Sequence, residues 1–370
     1  METSVETAWE TAMDTATETA LVDQPSEAAR VAVVGPGLAG SLLALALARQ
    51  GVATALVGPA SPAASELSYG GMAGRSGARQ WRQLERWHGP LGWRPSRLLL
   101  HGWPGPLHRL PPSLQALPTA ALPFSRVDVV ALAAALPAAL AAAGVERLEG
   151  PVQRIEAAAA GWRLELGQGL GPPVPQVVLA AGAGCRALWP ALPERLRFSW
   201  AGVIAVEPDA INLAGPCPWL AETRRGRIVQ ARQWQRPALE ARAGTLTEAA
   251  WIVDAGLAPW GERVLLGQIS QVEPRADPGQ PPDPALMEAR LREGLSSLDP
   301  RIAALPGRYR QVAVPFCLDG QPLAGPVAGA PGLWAFTGFS GAFSVVPALA
   351  ETLAETLAET LAAGSPAQLA

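Results

Sequence analysis

The sequence predicts an α/β fold in which a Rossmann-like dinucleotide-binding domain carries an inserted, mainly antiparallel β domain. Residues 31–58 show the order strand, glycine turn, helix, strand, with glycines spaced G-x-G-x-x-G. Residues 196–272 contain four strand signals in succession, which is typical of an antiparallel sheet. A strand signal at 333–338 and a long helix then return the chain to the α/β pattern.

The composition excludes several function classes. The chain has 370 residues, is 49% hydrophobic and carries a formal net charge of -3, so it can form a substantial core and gives no reason to expect a nucleic-acid partner. Its basic residues are all arginine, which excludes a lysine Schiff base and a P-loop lysine. Cys185, Cys217 and Cys317 lie far apart, so we expect reduced thiols and no metal site.

The N-terminal residues 1–28 are rich in acids and contain no basic residue before Arg30. We interpret them as a disordered acidic leader, and an over-extended start site is an alternative. They lack the basic and apolar regions of a secretory signal. No apolar run reaches the ~18 residues of a membrane span, so we expect a cytoplasmic protein.

From Arg30 onward the α/β elements follow in order. The run VAVV predicts a strand over 31–34, a helix follows over 40–50, and ATALV predicts a second strand over 53–57. Residues 127–144 are alanine-rich and predict a helix that Pro137 kinks or breaks. Short strand signals follow, at residues 151–157, 162–167 and 176–182.

The middle and the end of the chain complete the pattern. The antiparallel strand signals lie at 196–208, 226–235, 249–256 and 262–272, and an amphipathic helix is predicted over 284–298. Strands are predicted at 311–316 and 333–338. The last helix, over 345–364, repeats ETLA three times, and we expect its stacked glutamates Glu351, Glu355 and Glu359 to be solvated.

The glycine turn over 35–40 is suited to a dinucleotide. Gly35 allows the tight turn, Gly37 allows the backbone to approach a pyrophosphate, and Gly40 lets the helix pack against the strand. Gly58 occupies the end of the second strand, where an acidic residue normally binds the adenosine ribose. Loss of that contact costs about 1.5–3 kcal/mol of affinity, and Glu66, the next acid in the sequence, is the candidate to replace it.

Three further segments contain motifs that belong with the glycine turn. They are GPVQRIEA, QVVLAAGAGC and the stretch from DGQPLAG to the last helix. Together with the glycine turn they resemble the D-amino-acid oxidase superfamily of FAD-dependent oxidoreductases, which includes glycine oxidase and sarcosine oxidase. The resemblance covers about residues 30–362. It implies a discontinuous FAD-binding domain, an inserted substrate domain and a short tail. The FAD-binding domain comprises 29–80, 126–195 and 310–362, the substrate domain 81–125 and 196–309, and the tail 363–370.

The resemblance also implies which residues hold FAD. The pyrophosphate would lie at the glycine turn, the adenosine ribose beside the end of the second strand, and the adenine at the strand that follows the alanine-rich helix. The flavin ring and ribityl chain would lie against a loop before the last helix, whose N-terminal partial positive charge would face N1 and the C2 oxygen. These residues are Gly35, Gly37, Leu38, Ala39, Gly40, Val57, Gly58, Val152, Ala180, Ala181, Gly182, Gly338, Phe339, Ser340, Gly341 and Ala342.

The chain departs from the family pattern at three places. Members that oxidise free amino acids often have an arginine five residues before the aspartate of D-G-x-P, where this chain has Val314. Alanine replaces the histidine of the usual G-H-G at Ala342. The position of the cysteine that attaches flavin in some members is Val312. The resemblance therefore implies non-covalent FAD and a substrate that is held without the usual carboxylate clamp.

The stretch 75–109 contains seven arginines, four tryptophans and all three histidines. It has three interpretations: a substrate-facing wall, a surface for nucleic acid or acidic membrane, or a packed helix with Trp81, Leu84 and Trp87 on its inner face. For the first of these, Arg75 is the candidate to bind an anionic substrate, and Tyr69 the candidate to line the site. The histidines are more typical of turns or packing than of catalysis.

The function implied by the resemblance is oxidation of a C–H bond next to the nitrogen of a small-molecule amine or amino acid, by hydride-like transfer to flavin N5. The electron acceptor, oxygen or another molecule, and the oligomeric state stay open. Two alternatives also remain: an FAD-binding protein without turnover, and a nicotinamide-dependent dehydrogenase that uses the same glycine turn.

Overall fold

A computed structural model describes residue 26 and residues 29–59, 64–103, 105–117, 122–167, 169–232 and 235–363. The acidic leader, apart from Ser26, and the tail after Ala363 lie outside the described residues. Ser26 donates its backbone N–H to the carboxylate of Glu146, at 3.1 and 3.2 Å to the two oxygens.

Eighteen strands lie within the described ranges, and they form four sheets. The strands are β1 Val31–Val34, β2 Thr54–Gly58, β3 Gly71–Ala73, β4 Trp93–Pro95, β5 Leu98–His101, β6 Phe124–Val127, β7 Glu146–Glu149, β8 Val152–Ala158, β9 Gly161–Leu166, β10 Gly169–Leu170, β11 Gln176–Leu179, β12 Leu196–Val206, β13 Ile228–Ala231, β14 Ala250–Trp260, β15 Arg263–Val272, β16 Arg308–Cys317, β17 Leu323–Pro326 and β18 Leu333–Thr337.

The α-helices range from a single turn to six turns. They are α1 Leu38–Arg49, α2 Arg75–His88, α3 Pro112–Gln115, α4 Val129–Ala142, α5 Cys185–Leu188, α6 Pro208–Asn212, α7 Pro218–Arg224, α8 Gln235–Ala241, α9 Pro284–Ser296, α10 Pro300–Ala303 and α11 Ala342–Ala363. Short 3-10 turns occur at Ala64–Leu67, Gly105–Arg109, Gly182–Gly184 and Ala243–Thr245.

The first sheet has the strand order β17-β18-β11-β1-β2-β7. Its neighbours from β18 to β7 are parallel, and only β17 runs antiparallel to β18. Because parallel strands end at the same edge of a sheet, the chain leaves β1, β2, β11 and β18 at one edge. That edge collects the glycine turn, Gly58, the loop after Leu179 and the loop after Thr337.

The second sheet has the order β16-β12-β15-β14-β13-β5. All of its neighbours are antiparallel except β13 and β5. Two three-stranded sheets, β10-β9-β8 and β3-β6-β4, complete the fold. The predicted α/β class, with an inserted mainly antiparallel sheet, is confirmed.

Successive side chains of β1 point to opposite faces of the first sheet and therefore pack in two different hydrophobic clusters. Val31 and Val33 of β1 face one cluster with helices α1, α2, α4 and α11, while Ala32 and Val34 face another with β9. The first cluster continues into the second sheet through Val203, Ala205 and Leu265. Helices α7 and α9 cover a third cluster on the second sheet. The two sheets therefore share buried apolar contacts.

Some local predictions differ from the structure. The helix around Pro137 runs unbroken from Val129 to Ala142. The predicted strand 226–235 ends at Ala231, and helix α8 begins at Gln235. Glu351 is not simply solvated, because it forms a 2.6 Å ion pair with Arg49 of α1. No helix in the described part of the chain is long and apolar enough to cross a membrane.

Candidate active site

The glycine turn is built for close backbone approach. Gly35 has a φ of +114°, and a Cβ there would lie 2.5 Å from the Ala180 oxygen and the Ala181 Cα. A Cβ on Gly40 would overlap the Gly35 carbonyl oxygen. Both positions therefore require glycine. The turn leads directly into α1, whose first backbone N–H groups are free to bind an anion.

Gly58 lies against this turn in a way that explains the missing acid. A Cβ on Gly58 would overlap Cδ of Pro36, the second residue of the turn. The proline ring therefore occupies the space that a larger residue 58 would need. The Gly58 carbonyl accepts a 3.3 Å hydrogen bond from the Gly150 N–H, which brings the segment before Val152 to the same edge of the sheet.

The predicted late loops join the early turn. The Thr337 hydroxyl donates a 3.3 Å hydrogen bond to the Gly182 carbonyl, which ties the end of β18 to the loop after β11. That loop contacts Gly35 directly through Ala180 and Ala181. Residues 35–40, 180–182 and 338–342 thus lie along one edge of the sheet, although up to 300 residues separate them in sequence.

A small cleft opens beside the glycine turn. On one side it is lined by the turn, on another by Ser65 and Glu66, and on a third by α4. The residues that line it are Pro36, Gly37, Leu38, Ser65, Glu66, Val129, Leu132, Ala133 and Leu136. Glu66, the sequence candidate to replace the missing acid, therefore lies at the same cleft as Gly37.

The start of α11 is held by α2. The Trp81 indole N–H donates a 2.7 Å hydrogen bond to the Phe343 carbonyl, and the two rings stack with centroids 6.1 Å apart. A Cβ on Gly77 would lie 3.4 Å from the Ser344 Cα, so the two helices approach closely. Gly338 and Gly341, with φ of +80° and +70°, shape the loop that leads into α11. The N-terminus of α11 is thereby fixed at the sheet edge.

These features fit FAD. The glycine cradle leaves no room for a Cβ at Gly35 or Gly40, and the N-terminus of α1 offers N–H donors to a pyrophosphate. The N-terminus of α11 supplies a second partial positive charge on the same edge. No acid is present at residue 58, so Glu66 is the acid at the cleft that could bind the ribose.

Six polar residues form a second feature, which we call the polar cluster: Tyr69, Arg236, Glu240, Asp254, Gln268 and Ser270. Asp254 lies on β14, Gln268 and Ser270 lie on β15, and Arg236 and Glu240 lie four residues apart on α8. Residues spaced by four lie on the same face of a helix. The cluster therefore joins α8 to the second sheet.

Arg236 is engaged by its neighbours. Its Nε is 3.1 Å from Oδ2 of Asp254, a residue that is 7% exposed, and its Nη2 donates a 2.8 Å hydrogen bond to the Ser270 hydroxyl. The Gln268 amide oxygen, in the orientation that satisfies both of its groups, accepts from both Nη atoms. These contacts already occupy most of the guanidinium donors.

Tyr69 and Glu240 complete the polar cluster. The Tyr69 hydroxyl is buried, and the Gly267 backbone is its hydrogen-bond partner. Burial, and then the Asp254 charge, raises the pKa of Tyr69 well above its usual range. Burial also raises the pKa of Glu240, and Arg236 and a hydrogen bond with the Ser340 side chain partly oppose that rise. Glu240 thus connects the polar cluster to the loop before α11.

The predicted substrate residues have different surroundings. Tyr69 lies in the polar cluster. Arg75 is exposed at the start of α2, two residues before the contact of Gly77 with α11. Val314 is half-buried on β16 and pairs with Ser199 of β12. Their roles toward a substrate stay predictions.

Part of the stretch 75–109 packs against the rest of the fold. Trp81 and Leu84 are buried in the core, at 0% and 3% exposure, whereas Trp87 is 41% exposed and lies under the Arg49 guanidinium. His101 donates a 2.6 Å hydrogen bond from Nε2 to the Ala255 carbonyl. Trp81 and Leu84 therefore pack on the inner face of α2 as predicted, whereas Trp87 does not.

Sequence reasoning did not identify Arg236, Glu240 or Asp254. Asp254 interrupts the apolar run AWIVDAGLA, and a lone acid within an apolar strand is a signal of a buried charge. Arg236 and Glu240 follow the predicted strand 226–235, in a stretch for which the sequence pattern predicts no element. Arg236 and Glu240 lie on the same face only because residues 235–241 form a helix.

The three cysteines are the remaining candidates for reactive side chains. All three cysteines are buried and free, and burial raises the pKa of Cys185 to about 12. The described residues contain no group of His, Cys, Asp and Glu that could hold a metal ion. A Cβ on Gly338 would lie 2.6 Å from the Cys317 Sγ, and burial raises the pKa of this thiol as well.

Comparisons with known proteins support this geometry. A family model described as DAO, FAD dependent oxidoreductase, matches residues 124–356, which is more than half of the chain. The glycine oxidase from Geobacillus kaustophilus has a TM-score of 0.62 at 19% identity, over 90% of this chain and 94% of that one. No curated protein matches the sequence.

Two other solved structures are similar. NikD, an unusual amino acid oxidase essential for nikkomycin biosynthesis, has a TM-score of 0.63 at 16% identity, over 93% of this chain and 98% of that one. Iminodiacetate oxidase from Chelativorans sp. BNC1 has a TM-score of 0.58 at 16% identity, over 91% and 96%. At these identities the likeness shows the fold.

Proposed function

The chain belongs to the DAO family of FAD dependent oxidoreductases, and from that premise we propose that it oxidises a small-molecule amine at the C–H bond next to nitrogen. That it is an FAD-dependent oxidoreductase follows from the family. The bond oxidised and the class of substrate are the proposal. The observation that carries it is the polar cluster between α8 and the second sheet, in which Arg236 lies 3.1 Å from the buried Asp254 carboxylate and donates to Ser270.

The sheet edge would hold the cofactor. Gly35, Gly37 and Gly40 would cradle the pyrophosphate, with Leu38 and Ala39 at the N-terminus of α1. Val57, Gly58 and Val152 would surround the adenosine. The ribityl chain and the ring would lie along the two late loops, which are Ala180–Gly182 and Gly338–Ala342. When bound, FAD supplies the two-electron acceptor for oxidation of the substrate.

The chain's own residues would bind and orient the amine. The Tyr69 hydroxyl, which bonds to the Gly267 backbone, would form a further hydrogen bond with a polar atom of the substrate. Arg75 would interact with a negative group at the rim of the site, since it is exposed near the start of α11. The second sheet and α8 would shield the reacting bond from water.

The test is anaerobic reduction of the purified flavoprotein. The protein is expected to be yellow, and we expect its flavin absorbance to bleach with at least one member of a panel of amines. Hydroxy acids serve as the control, and they should leave the absorbance unchanged. Protein that holds FAD but is bleached by no amine would contradict the proposal and indicate FAD binding without turnover.

The flavin is expected to be non-covalent. Cys317 lies beside Gly338, since a Cβ on that glycine would be 2.6 Å from the Cys317 Sγ, and burial raises the pKa of this thiol, which makes it a poor nucleophile. Acid precipitation should therefore release all the flavin into the supernatant. Yellow colour that stays with the precipitated polypeptide would contradict this expectation.

A further inference from the structure

A groove of about 420 Å³ opens where helices α1, α2 and α4 end. Helices α1 and α4 begin at the cleft beside the glycine turn, so the groove lies at their opposite ends. Four alanines from the ends of α1 and α4 line it, together with Arg49, Trp87 and His88. Trp87 is 41% exposed, and the His88 Nε2 atom is buried without a hydrogen-bond partner among the described residues. The groove is therefore a mainly apolar surface that can take large side chains.

The outer side of α2 carries an arginine stripe that ends beside this groove. It consists of four residues that share one face of the helix, Arg75, Arg79, Arg82 and Arg86. All four are exposed, and in the described part of the chain none has an acidic side chain within ion-pair distance. Outside the described ranges, every acidic residue of the chain lies before Arg30. The leader therefore holds the acids that can still neutralise the stripe.

The leader joins the fold at the same end of the molecule as the groove. The Arg30 N–H donates a 2.9 Å hydrogen bond to the carbonyl of Ala53, four residues beyond the end of α1. The Ser26 N–H donates to the carboxylate of Glu146, four residues beyond the end of α4. Four residues of chain span at most about 14 Å, so the segment before Ser26 starts near the groove. Sixteen residues of helix span about 24 Å and the stripe about 17 Å, so residues 5–20 can reach along both.

The leader has the sequence pattern of an amphipathic helix. Its apolar residues recur every three or four positions, and they are Val5, Trp9, Met13, Ala16 and Ala20. Its acids recur every four positions along one side of this apolar face, and they are Glu6, Glu10, Asp14 and Glu18. Like charges four residues apart destabilise an isolated helix, whereas a row of arginines beside them removes that cost. The leader therefore matches the groove with its apolar face and the arginine stripe with its acidic side.

We propose that residues 5–20 pack as a helix in this groove, with Trp9 as the apolar anchor and the acids along the arginine stripe of α2. The indole N–H of Trp9 supplies the hydrogen-bond partner that the His88 Nε2 atom lacks. The sequence alone predicts a disordered leader, because it does not show the surface that offsets the repulsion among the acids. The inference is independent of the proposed function, since the groove and the glycine turn lie at opposite ends of α1.

Hydrogen–deuterium exchange of the full-length protein tests whether the leader is covered. We expect the amides of residues 5–20 to exchange at least about fivefold more slowly than those of the same peptide free in solution. Exchange at the rate of the free peptide would overturn the proposal. Protection of the ends of α1, α2 and α4 that rises with protein concentration, while the leader exchanges freely, would also overturn it and would identify a second copy of the chain as the occupant.

Charge variants test the pairing with the arginine stripe. The triple variant Arg79→Gln, Arg82→Gln and Arg86→Gln should lose most of the protection of residues 5–20. The matched control changes the net charge equally at three exposed arginines elsewhere in the fold, Arg163, Arg275 and Arg308. It should keep the wild-type protection. At about 1 M salt the Debye length is about 3 Å, so the wild-type protection should fall there as well. Equal protection in the two triple variants would overturn the pairing.

Disulfide trapping tests the position of the leader. Ala142→Cys, at the groove, is combined in turn with Trp9→Cys, Met13→Cys and Ala16→Cys, and the full-length protein is oxidised. The three native thiols are buried and should not compete. We expect at least one of these pairs to cross-link in most molecules, whereas Met13→Cys with Ala285→Cys, at an exposed position of α9, should not. No cross-link in any of the three pairs, or equal cross-linking in the control, would overturn the placement.

Discussion

Gly40 has no room for a side chain, because a Cβ at this position would overlap the Gly35 carbonyl oxygen. Gly40→Ala must therefore push the N-terminus of α1 away from β1 or open the glycine turn. Overpacking of this kind costs about 1–3 kcal/mol of folding stability. We expect the variant to melt at a lower temperature and to lose FAD on dialysis, measured by flavin absorbance per protein.

Gly325→Ala is the matched control for this prediction. Gly325 lies on β17, and a Cβ there would meet no atom within 4 Å. It should keep the flavin content of the wild type. Equal flavin content in Gly40→Ala and Gly325→Ala would show that the turn tolerates a side chain and does not cradle the pyrophosphate.

Gly58 shows what can and cannot be predicted at the level of one residue. The strand-turn-helix pattern identifies position 58 and shows that its usual acid is missing. It does not show that the Pro36 ring fills the space beside it, because that contact joins residues from two different strand ends. The same limit applies to Glu66, whose position at the cleft depends on how the Ala64–Leu67 turn packs against α4.

At the level of the element, helix α11 contains a proline that should weaken its first turn. Pro347 has no N–H, so the Phe343 carbonyl, four residues earlier, lacks its usual helical donor. The Trp81 indole N–H supplies that hydrogen bond from α2, at 2.7 Å. The helix end that would face the flavin is thus completed by a neighbouring helix.

This arrangement predicts a coupling between Trp81 and Pro347. Trp81→Phe leaves the Phe343 carbonyl without a donor and should lower the free energy of unfolding by about 1–3 kcal/mol, in addition to the lost packing. In a Pro347→Ala background the helix supplies its own N–H, so the same substitution should cost less. A double-mutant cycle by urea unfolding measures the difference, and strict additivity of the two substitutions would contradict it.

A helix or strand can be predicted from the sequence when the pattern that identifies it lies within its own residues. Helix α1, β1 and the strands β12 to β16 follow from periodicity in the chain itself, and they appear within a few residues of the predicted bounds, whereas β5 is not predicted. The strands β3 and β4 are three residues long and form only by pairing with β6, so their sequence carries little signal. Helix α8 also has little signal in its own sequence, since its residues Arg236 and Glu240 interact with β14 and with the loop before α11.

At the level of the whole molecule, the two large sheets share one apolar core. Val203 and Leu265 of the second sheet lie in the same cluster as Leu42 of α1 and Val346 of α11. Loss of structure in the second sheet should therefore also release the flavin. The sequence indicates both sheets but not this shared core, because the contacts join segments that are far apart in the sequence.

The contacts between the two sheets lead to a prediction about stability in acid. His101 lies at the end of β5, within 2.6 Å of the Ala255 carbonyl and edge-on to Trp219. Burial lowers the pKa of His101, and the hydrogen bond to Ala255 only partly opposes it. The unfolded chain therefore takes up this proton first, and stability falls as pH drops below about 6.5.

His101→Gln should reduce that acid sensitivity, because the amide can still donate to Ala255 and does not titrate. We expect the difference in melting temperature between pH 7.5 and pH 5 to be smaller in this variant than in the wild type. His108→Gln, at an exposed position, is the control and should keep the wild-type difference. Since the sheets share a core, circular dichroism and flavin fluorescence should report the same transition at each pH. Flavin release that precedes the loss of secondary structure would instead mean that the two sheets unfold separately.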